Sequence, residues 1–384
     1  MDADLVVVGA GPVGAVLAML LARAGRRVVL LDKASFPRDK ACGEGLLPSG
    51  VRVLGGLGVD LAELGFPELR GVRYRSACGC SAAAPFRDGP GRGVRRMILD
   101  AILARRAAAS GVRFHPSCPL LAIARQRRGV EVQTGLGRLR AWALVGADGL
   151  RSTTARLLGR ALPPGGPARY GLVGHLACEP LPPEVVVTML GDLEVYAAPA
   201  ARGELLVALL GGRQELFAGG ALDRFRAAVE RAHPELADAP LRGRLRGAGP
   251  FRVRAWPVAG EGVFLVGDAA GFVDPLTGDG IAAGLAQAEV LADLLAPGRL
   301  DLADARQLAR AAARYRSWWE RQWRRRRLLT ALALGLGRSA ALTRRALGGL
   351  ARRPETLTAL LEVDDGRRTL GSLRPRDWAA LMGF

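Results

Sequence analysis

The chain has 384 residues, 49% of them hydrophobic, which is enough apolar material for one large folded unit or two interleaved ones and argues against disorder. Its formal charge of +19 rests almost wholly on arginine, since lysine occurs only at Lys33 and Lys40. The arginines are dispersed rather than gathered into a nucleic-acid-binding module, so no nucleic acid partner is expected.

Five cysteines (Cys42, Cys78, Cys80, Cys118 and Cys178) are odd in number and irregularly spaced. They point to a reduced, cytoplasmic protein rather than a disulfide scaffold. Cys78-Gly79-Cys80 is tighter than the two-residue gap of a zinc knuckle or redox pair. Asp2 and Asp4 lead directly into the first strand, without the basic segment of an export signal. No run reaches the roughly 18 apolar residues needed to span a bilayer.

Taken in chain order, Leu5-Val6-Val7-Val8 is an all-apolar run ending in glycine, the pattern of a buried parallel strand. Pro12 to Ala24 has helical composition and Gly25 stops it; Arg27 to Leu31 is a second strand. The three form a βαβ unit of about 30 residues. Strands are expected at Gly71–Arg75 and Ser81–Phe86, around a turn at Ala77–Cys80, and an amphipathic helix at Arg95–Ser110. Further strands fall near Val112–Phe114, Leu120–Arg125, Gly129–Thr134 and Trp142–Val145. Residues 170–211 alternate in strand fashion, and helices cover Asp223–Arg231, Gly280–Leu295 and much of 301–350. The order implies a discontinuous nucleotide-binding domain with a sheet inserted into it.

Gly9-Ala10-Gly11-Pro12-Val13-Gly14 lies between the first strand and its helix, the context that a dinucleotide fingerprint requires. Gly9 permits the tight turn, Gly11 lets the backbone approach a pyrophosphate, and Gly14 allows the helix to pack closely on the strand. Pro12 opens the helix whose N-terminus would meet the phosphates. Asp32, 18 residues after Gly14, ends the second strand where a carboxylate can bind the adenosine ribose.

Two later segments select FAD over NAD as the bound dinucleotide. Gly146-Ala147-Asp148-Gly149 closes one apolar strand, and Gly267-Asp268-Ala269-Ala270-Gly271 closes another. Asp268 can accept from a ribityl hydroxyl, while small residues in the following loop let backbone N–H groups reach the flavin edge where reduction places negative charge. Pro275, Gly278, Gly280 and Ile281 belong to that loop and the helix it opens. Ser152 and Thr153 are expected to cap a helix rather than act as nucleophiles.

Together these three segments resemble the group A flavoprotein hydroxylases. The resemblance implies that Asp148 helps to hold both FAD and NAD(P)H, and that Arg96 is an FAD-contacting arginine. Phe36-Pro37-Arg38-Asp39-Lys40-Ala41-Cys42-Gly43 and Gly267–Gly278 resemble the geranylgeranyl reductase-like branch more narrowly, over about residues 1–300. It places Cys42 and Gly43 near the flavin, Cys42 as a pocket residue rather than a nucleophile, since no histidine is near it in sequence. Arg38 and Lys40 would neutralise the FAD phosphates or steer an acidic substrate, and Lys33 is a further cofactor-binding candidate. Flavin halogenases of the superfamily carry a Trp-x-Trp-x-Ile-Pro element and a tunnel lysine; here only Trp256-Pro257 is present, so halogenation is not expected.

The expected fold is α/β: a Rossmann-type FAD-binding domain (1–72, 95–160 and 255–300), an inserted β-sheet substrate domain (73–94 and 161–254) and a C-terminal helical region (301–384). His115, His175 and His233 are isolated, so no metal site is expected. The expected activity is hydroxylation of a hydrophobic aromatic, polyketide or isoprenoid molecule with NAD(P)H and O2. The alternative is saturation of isoprenoid double bonds. Trp318–Leu329 combines aromatics with a basic cluster, which suits either contact with an anionic membrane surface or packing of the tryptophans against the protein.

Overall fold

The structure, a computed structural model, describes residues 1–179, 183–337 and 339–384, so 180–182 of the strand-like run 170–211 and residue 338 of the late helical run lie outside it. Strand β1 (Ala3–Val8) leads through α1 (Pro12–Arg23) to β2 (Val28–Leu31). After α2 (Pro48–Gly56) come β3 (Gly71–Ser76), β4 (Ser81–Pro85), α3 (Arg96–Ala109) and β5 (Arg113–His115). Strands β6 (Leu120–Arg125), β7 (Val130–Thr134) and β8 (Gly137–Gly146) precede the short α4 (Thr153–Leu157).

Four long strands follow, β9 (Tyr170–Ala177), β10 (Val185–Met189), β11 (Glu194–Ala201) and β12 (Glu204–Gly211). Then come α5 (Arg213–Phe217), α6 (Ala221–Ala232), β13 (Leu241–Ala248) and β14 (Val263–Leu265). The chain closes with α7 (Gly280–Leu294), the 33-residue α8 (Ala305–Gly337), α9 (Ala340–Arg352), α10 (Pro354–Asp364) and α11 (Pro375–Leu381).

β1 is apolar on both faces because it lies inside a sheet that is covered on both. Its parallel strands run in the order β14-β8-β1-β2-β5, with Val6 opposite Val29 on one side and Leu144 on the other. The first half of β8 also pairs with the antiparallel β7, and β7 in turn with β6. Parallel pairing brings the C-terminal ends of β14, β8, β1 and β2 to one edge, and all the Gly-rich segments found in the sequence follow those ends. That edge is where open α/β sheets bind ligands.

The second sheet runs β13-β9-β12-β11-β10-β3-β4, antiparallel except where β10 pairs with β3. The alternation expected over 170–211 gives way to burial on both faces, and seven of the eight residues of β12 are buried. Phe225, Val229 and Leu216 of α5 and α6 cover one face; Leu276, Phe272 and Ala333 pack against the other. Three elements escaped the sequence, the short α5 among them. In α2, Gly50, Gly55 and Gly56 mask the helical pattern. β13 carries three arginines and two glycines because it is an edge strand with little to bury.

The aromatics of α8 face inward. Trp319 and Trp323 are 2% and 7% exposed, stack on each other at 5.1 Å, and lie under the Arg254 guanidinium. No described helix is long and apolar enough to cross a membrane. Phe225 is fully buried beneath Gly174, where a methyl group would come within 2.7 Å of its ring. Phe225→Ala should therefore cost about 3–5 kcal/mol, read as a fall in unfolding midpoint with the far-UV spectrum retained.

Candidate active site

The fingerprint loop is built without side chains because there is no room for them. Gly9 has φ of +102°, and a Cβ there would lie 2.5 Å from the Ala147 carbonyl oxygen; on Gly14 it would lie 1.8 Å from the Gly9 oxygen. Gly9 N–H donates to Leu31, and Ala147 N–H donates to Val8, both at 2.7 Å. The ends of β2, β1 and β8 are thus tied together through backbone alone. α1 then starts at Gly11 with Pro12 in its first turn, no side-chain cap and no acidic residue in that turn. Its free N–H groups and positive end remain available to an anion.

Asp32 fixes the loop from the other side. One carboxylate oxygen accepts from Ala10 N–H at 2.8 Å and the other from Ala34 N–H at 2.9 Å. Arg38 lies 3.4 Å from both Asp32 and Asp100. Arg96 is buried and holds Asp100 with two bonds of 2.7 and 2.8 Å. Burial opposes its charge, and the paired Asp100 overrides that, holding its pKa above the usual arginine range. The Arg38 and Arg96 guanidinium tips lie 3.5 and 3.8 Å from the point where a Gly11 Cβ would be, and the Lys40 ammonium lies 2.9 Å from the corresponding point on Gly149. Burial first, then neighbouring Arg96, lowers the Lys40 pKa, while Asp268 supports its charge. Three cations therefore converge over a glycine cradle, which fits a pyrophosphate.

Of the other sequence-selected residues, Asp148 accepts from Ser152 Oγ at 2.5 Å and from the Thr154 N–H and hydroxyl, so it braces its own turn. Ser152 caps α4 through Ala155 N–H, as expected. Cys42 is half-buried, borders Arg96 and accepts weakly from Glu44 N–H at 3.4 Å. Gly43 and Lys33 are exposed. Asp268 is half-buried and has no hydrogen-bond partner among the described residues, which leaves its carboxylate free to accept a hydroxyl.

Gly267, with φ of +60°, and Gly284 pack against Val13, so α7 sits directly on α1. The loop before α7 is held from the second sheet. Arg169 bonds Asp274 at 2.8 Å and Glu194 at 2.5 Å, and Tyr196 donates to the Leu276 carbonyl at 2.5 Å. Pro275 lies within the resulting turn, Gly278 is exposed in open space, and Gly280 and Ile281 start α7.

The sequence missed the buried charges behind the cations. Glu44, 2% exposed, accepts from Arg95 at 3.2 Å and from Arg96 N–H at 2.8 Å, and meets His175 Nε2 at 2.8 Å. Arg95 also grips Asp39 at 2.9 Å, so neither arginine of the pair is a solvated helix residue. Arg96 and Asp100 at i,i+4 were a usable signal; Glu44 with His175 had none, being 131 residues apart.

Beside this edge lies a second space, about 900 Å³ counted out to its mouth. Leu329, Leu332 and Leu336 of α8, Leu347 of α9 and Leu360 of α10 line it, and Leu276 and Thr277 of the loop before α7 form part of its wall. Its few polar groups include Tyr74, Thr343 and Asp364.

Fold and site define a dinucleotide-binding flavoprotein. The chain belongs to the FAD binding domain family, whose sequence model matches residues 2–318. It is 32% identical over 332 residues to menaquinone reductase of Mycolicibacterium smegmatis, covering 77% of each chain. It is 30% identical over 323 residues to digeranylgeranylglycerophospholipid reductase of Methanothrix thermoacetophila (78% of this chain, 80% of the other). Rifampicin monooxygenase of Streptomyces venezuelae is 30% identical over 300 residues (74% and 62%). A flavin-dependent brominase superposes with a TM-score of 0.81 at 19% identity, covering 95% of this chain and 94% of that one, a likeness of fold. The protein is thus an FAD-dependent oxidoreductase of the group A type, with geranylgeranyl reductase-like relatives.

Gly14→Ala, which forces a methyl group onto the Gly9 carbonyl, should abolish FAD retention. Gly55→Ala in α2, where a Cβ meets nothing within 4 Å, should leave it unchanged. The flavin absorbance of the purified variants checks both.

Proposed function

We propose that the protein is a reductase that saturates a double bond in a long, largely apolar substrate of isoprenoid type, with NAD(P)H as electron donor. In this reading the Gly9–Gly14 loop with Arg38, Lys40 and Arg96 holds the FAD pyrophosphate, and Asp32 holds the ribose. Asp268 and the loop through Pro275, Gly278, Gly280 and Ile281 hold the flavin end, with Cys42 and Gly43 nearby. The observation that carries the proposal is the leucine-lined cavity whose wall includes Leu276 and Thr277 of that loop. Burial of apolar surface stabilises binding by roughly 25 cal/mol per Å², so a prenyl-like chain needs no charged anchor there. The reductase relatives are matched over 77%, 80% and 83% of their own length, against 62% for the monooxygenase relative, which supports placing reduction ahead of hydroxylation.

Bound and reduced, FAD supplies a hydride; saturation needs a proton as well. Asp364, 9% exposed, lines the cavity, and its Oδ1 is sealed from solvent without a hydrogen-bond partner among the described residues. Burial, reinforced by Asp279, pushes its pKa well above the carboxylate range against the pull of Arg325 and Arg326. That shift favours the protonated carboxyl. Tyr74, raised by burial and by Asp364, also stays neutral. Asp364 and Tyr74 thus place acidic hydrogens in a wall that is otherwise largely leucine.

The second reading, monooxygenation, is supported by the similarity to rifampicin monooxygenase and would use the same dry cavity. Under anaerobic conditions with NAD(P)H, a polyprenylated quinone or geranylgeranyl lipid should gain two hydrogens. Gain of an oxygen atom with consumption of O2 would replace the proposal with the second reading.

Asp364→Asn should lower turnover by about 100-fold or more while leaving flavin reduction by NAD(P)H unchanged. Because folding raises the Asp364 pKa, the native state retains a proton that the unfolded chain releases above the ordinary carboxylate range. Native stability is then lost as pH rises from that range toward the raised value. Asp364→Asn should flatten this fall in part, measured as unfolding midpoint against pH.

A further inference from the structure

The hairpin joining β3 to β4 carries a feature that the proposed reaction does not use. Cys78 and Cys80 flank Gly79, whose φ of +83° folds the tip so that the two Sγ atoms lie 3.7 Å apart. Spacing alone argued against a redox pair; the turn brings the thiols together. Cys78 is exposed, and Cys80 is half-buried in the cluster that includes Leu347 and Leu350 of α9. Ser76 Oγ lies 3.1 Å from Cys78 Sγ and 3.3 Å from the Cys80 carbonyl oxygen, which ties both sides of the tip.

The two thiols are not equivalent. Hydrogen bonding from Ser76, the Cys80 backbone and the Arg344 side chain of α9 brings the Cys78 pKa down to about 6. Sharing the Cys78 hydrogen bond raises the Cys80 pKa. An accessible thiolate therefore stands beside a protonated partner at neutral pH, the division of labour that exchange chemistry needs. Closing a bond requires the sulfurs to approach to about 2.05 Å, a small movement at a tip where a Cβ on Gly79 would meet nothing within 4 Å.

We propose that Cys78 and Cys80 form a surface dithiol that exchanges with low-molecular-weight disulfides of the glutathione type, Cys78 attacking and Cys80 resolving. The Cys78 thiolate attacks one sulfur of the disulfide, whose S–S bond breaks and releases the first thiolate. Cys80 gives its proton to solvent and attacks Cys78 Sγ, expelling the second. Two protein thiols are oxidised to one intrachain disulfide, and one external disulfide is reduced to two thiols. A bond bridging a single residue on an exposed tip is also readily reduced again, so the site exchanges rather than staples.

The full chain with bound FAD, treated with oxidised glutathione at neutral pH and mapped by peptide mass, tests this. The wild-type protein should lose two hydrogens on the peptide that carries Cys78 and Cys80, and dithiothreitol should restore them. Cys80→Ser should instead trap one glutathione on Cys78, and Cys78→Ser should form an adduct on Cys80 about tenfold more slowly. A wild-type protein that keeps both thiols, or that accumulates a stable glutathione adduct without the cross-link, overturns the proposal. Equal adduct formation in the two variants overturns the assignment of Cys78 as the attacking sulfur. The flavin spectrum of each variant verifies that it is folded.

Discussion

The site depends on a contact in which no side chain takes part. The ends of β1 and β8 approach so closely that any atom beyond hydrogen on Gly9 would collide with the Ala147 carbonyl. That approach places the turn before α1, the turn before α4 and the turn after β14 along one sheet edge, and α1 begins there with its N–H groups turned outward. A bulkier residue at Gly9 or Gly14 would disrupt the cradle as well as the local packing. The same contact explains why Arg38, Lys40 and Arg96 gather above it: the backbone supplies partial positive charge, and the side chains extend it.

Acids behind the cradle hold the neighbouring arginines in place. Asp100, Glu44 and Asp39 orient Arg96 and Arg95, and His175 from β9 closes the network from the second sheet. Burying such charges costs desolvation that their mutual attraction only partly offsets, and what the arrangement provides here is direction. Removing Glu44 would take one partner each from the Arg95 side chain, the Arg96 backbone N–H and His175. A similar clamp, Arg169 between Asp274 and Glu194, fixes the loop before α7 to β11.

The sequence made the first sheet legible because its signals are local: an apolar run, a glycine fingerprint and an acid at the next strand end. Leu120–Arg125 was read to the residue, and the turn at Ala77–Cys80 was placed correctly. The cofactor-facing segments were legible for the same reason. What was not legible depends on contacts across long stretches of chain. The Glu44–His175 pair joins residues 131 apart, and Asp364 lines a cavity only once α8 to α10 close over the second sheet. Arg96 was legible from its spacing to Asp100, whereas glycine hid α2.

α8 serves as a party wall. Trp323, Arg326 and Thr330 face the small space beneath the Gly267–Gly280 loop, and Leu329, Leu332 and Leu336 face the leucine-lined chamber. Arg326 binds Asp279 at 2.9 Å, immediately before α7. The helix is about 50 Å long and turns successive side chains toward the two spaces, so a substitution that displaces it alters both linings at once.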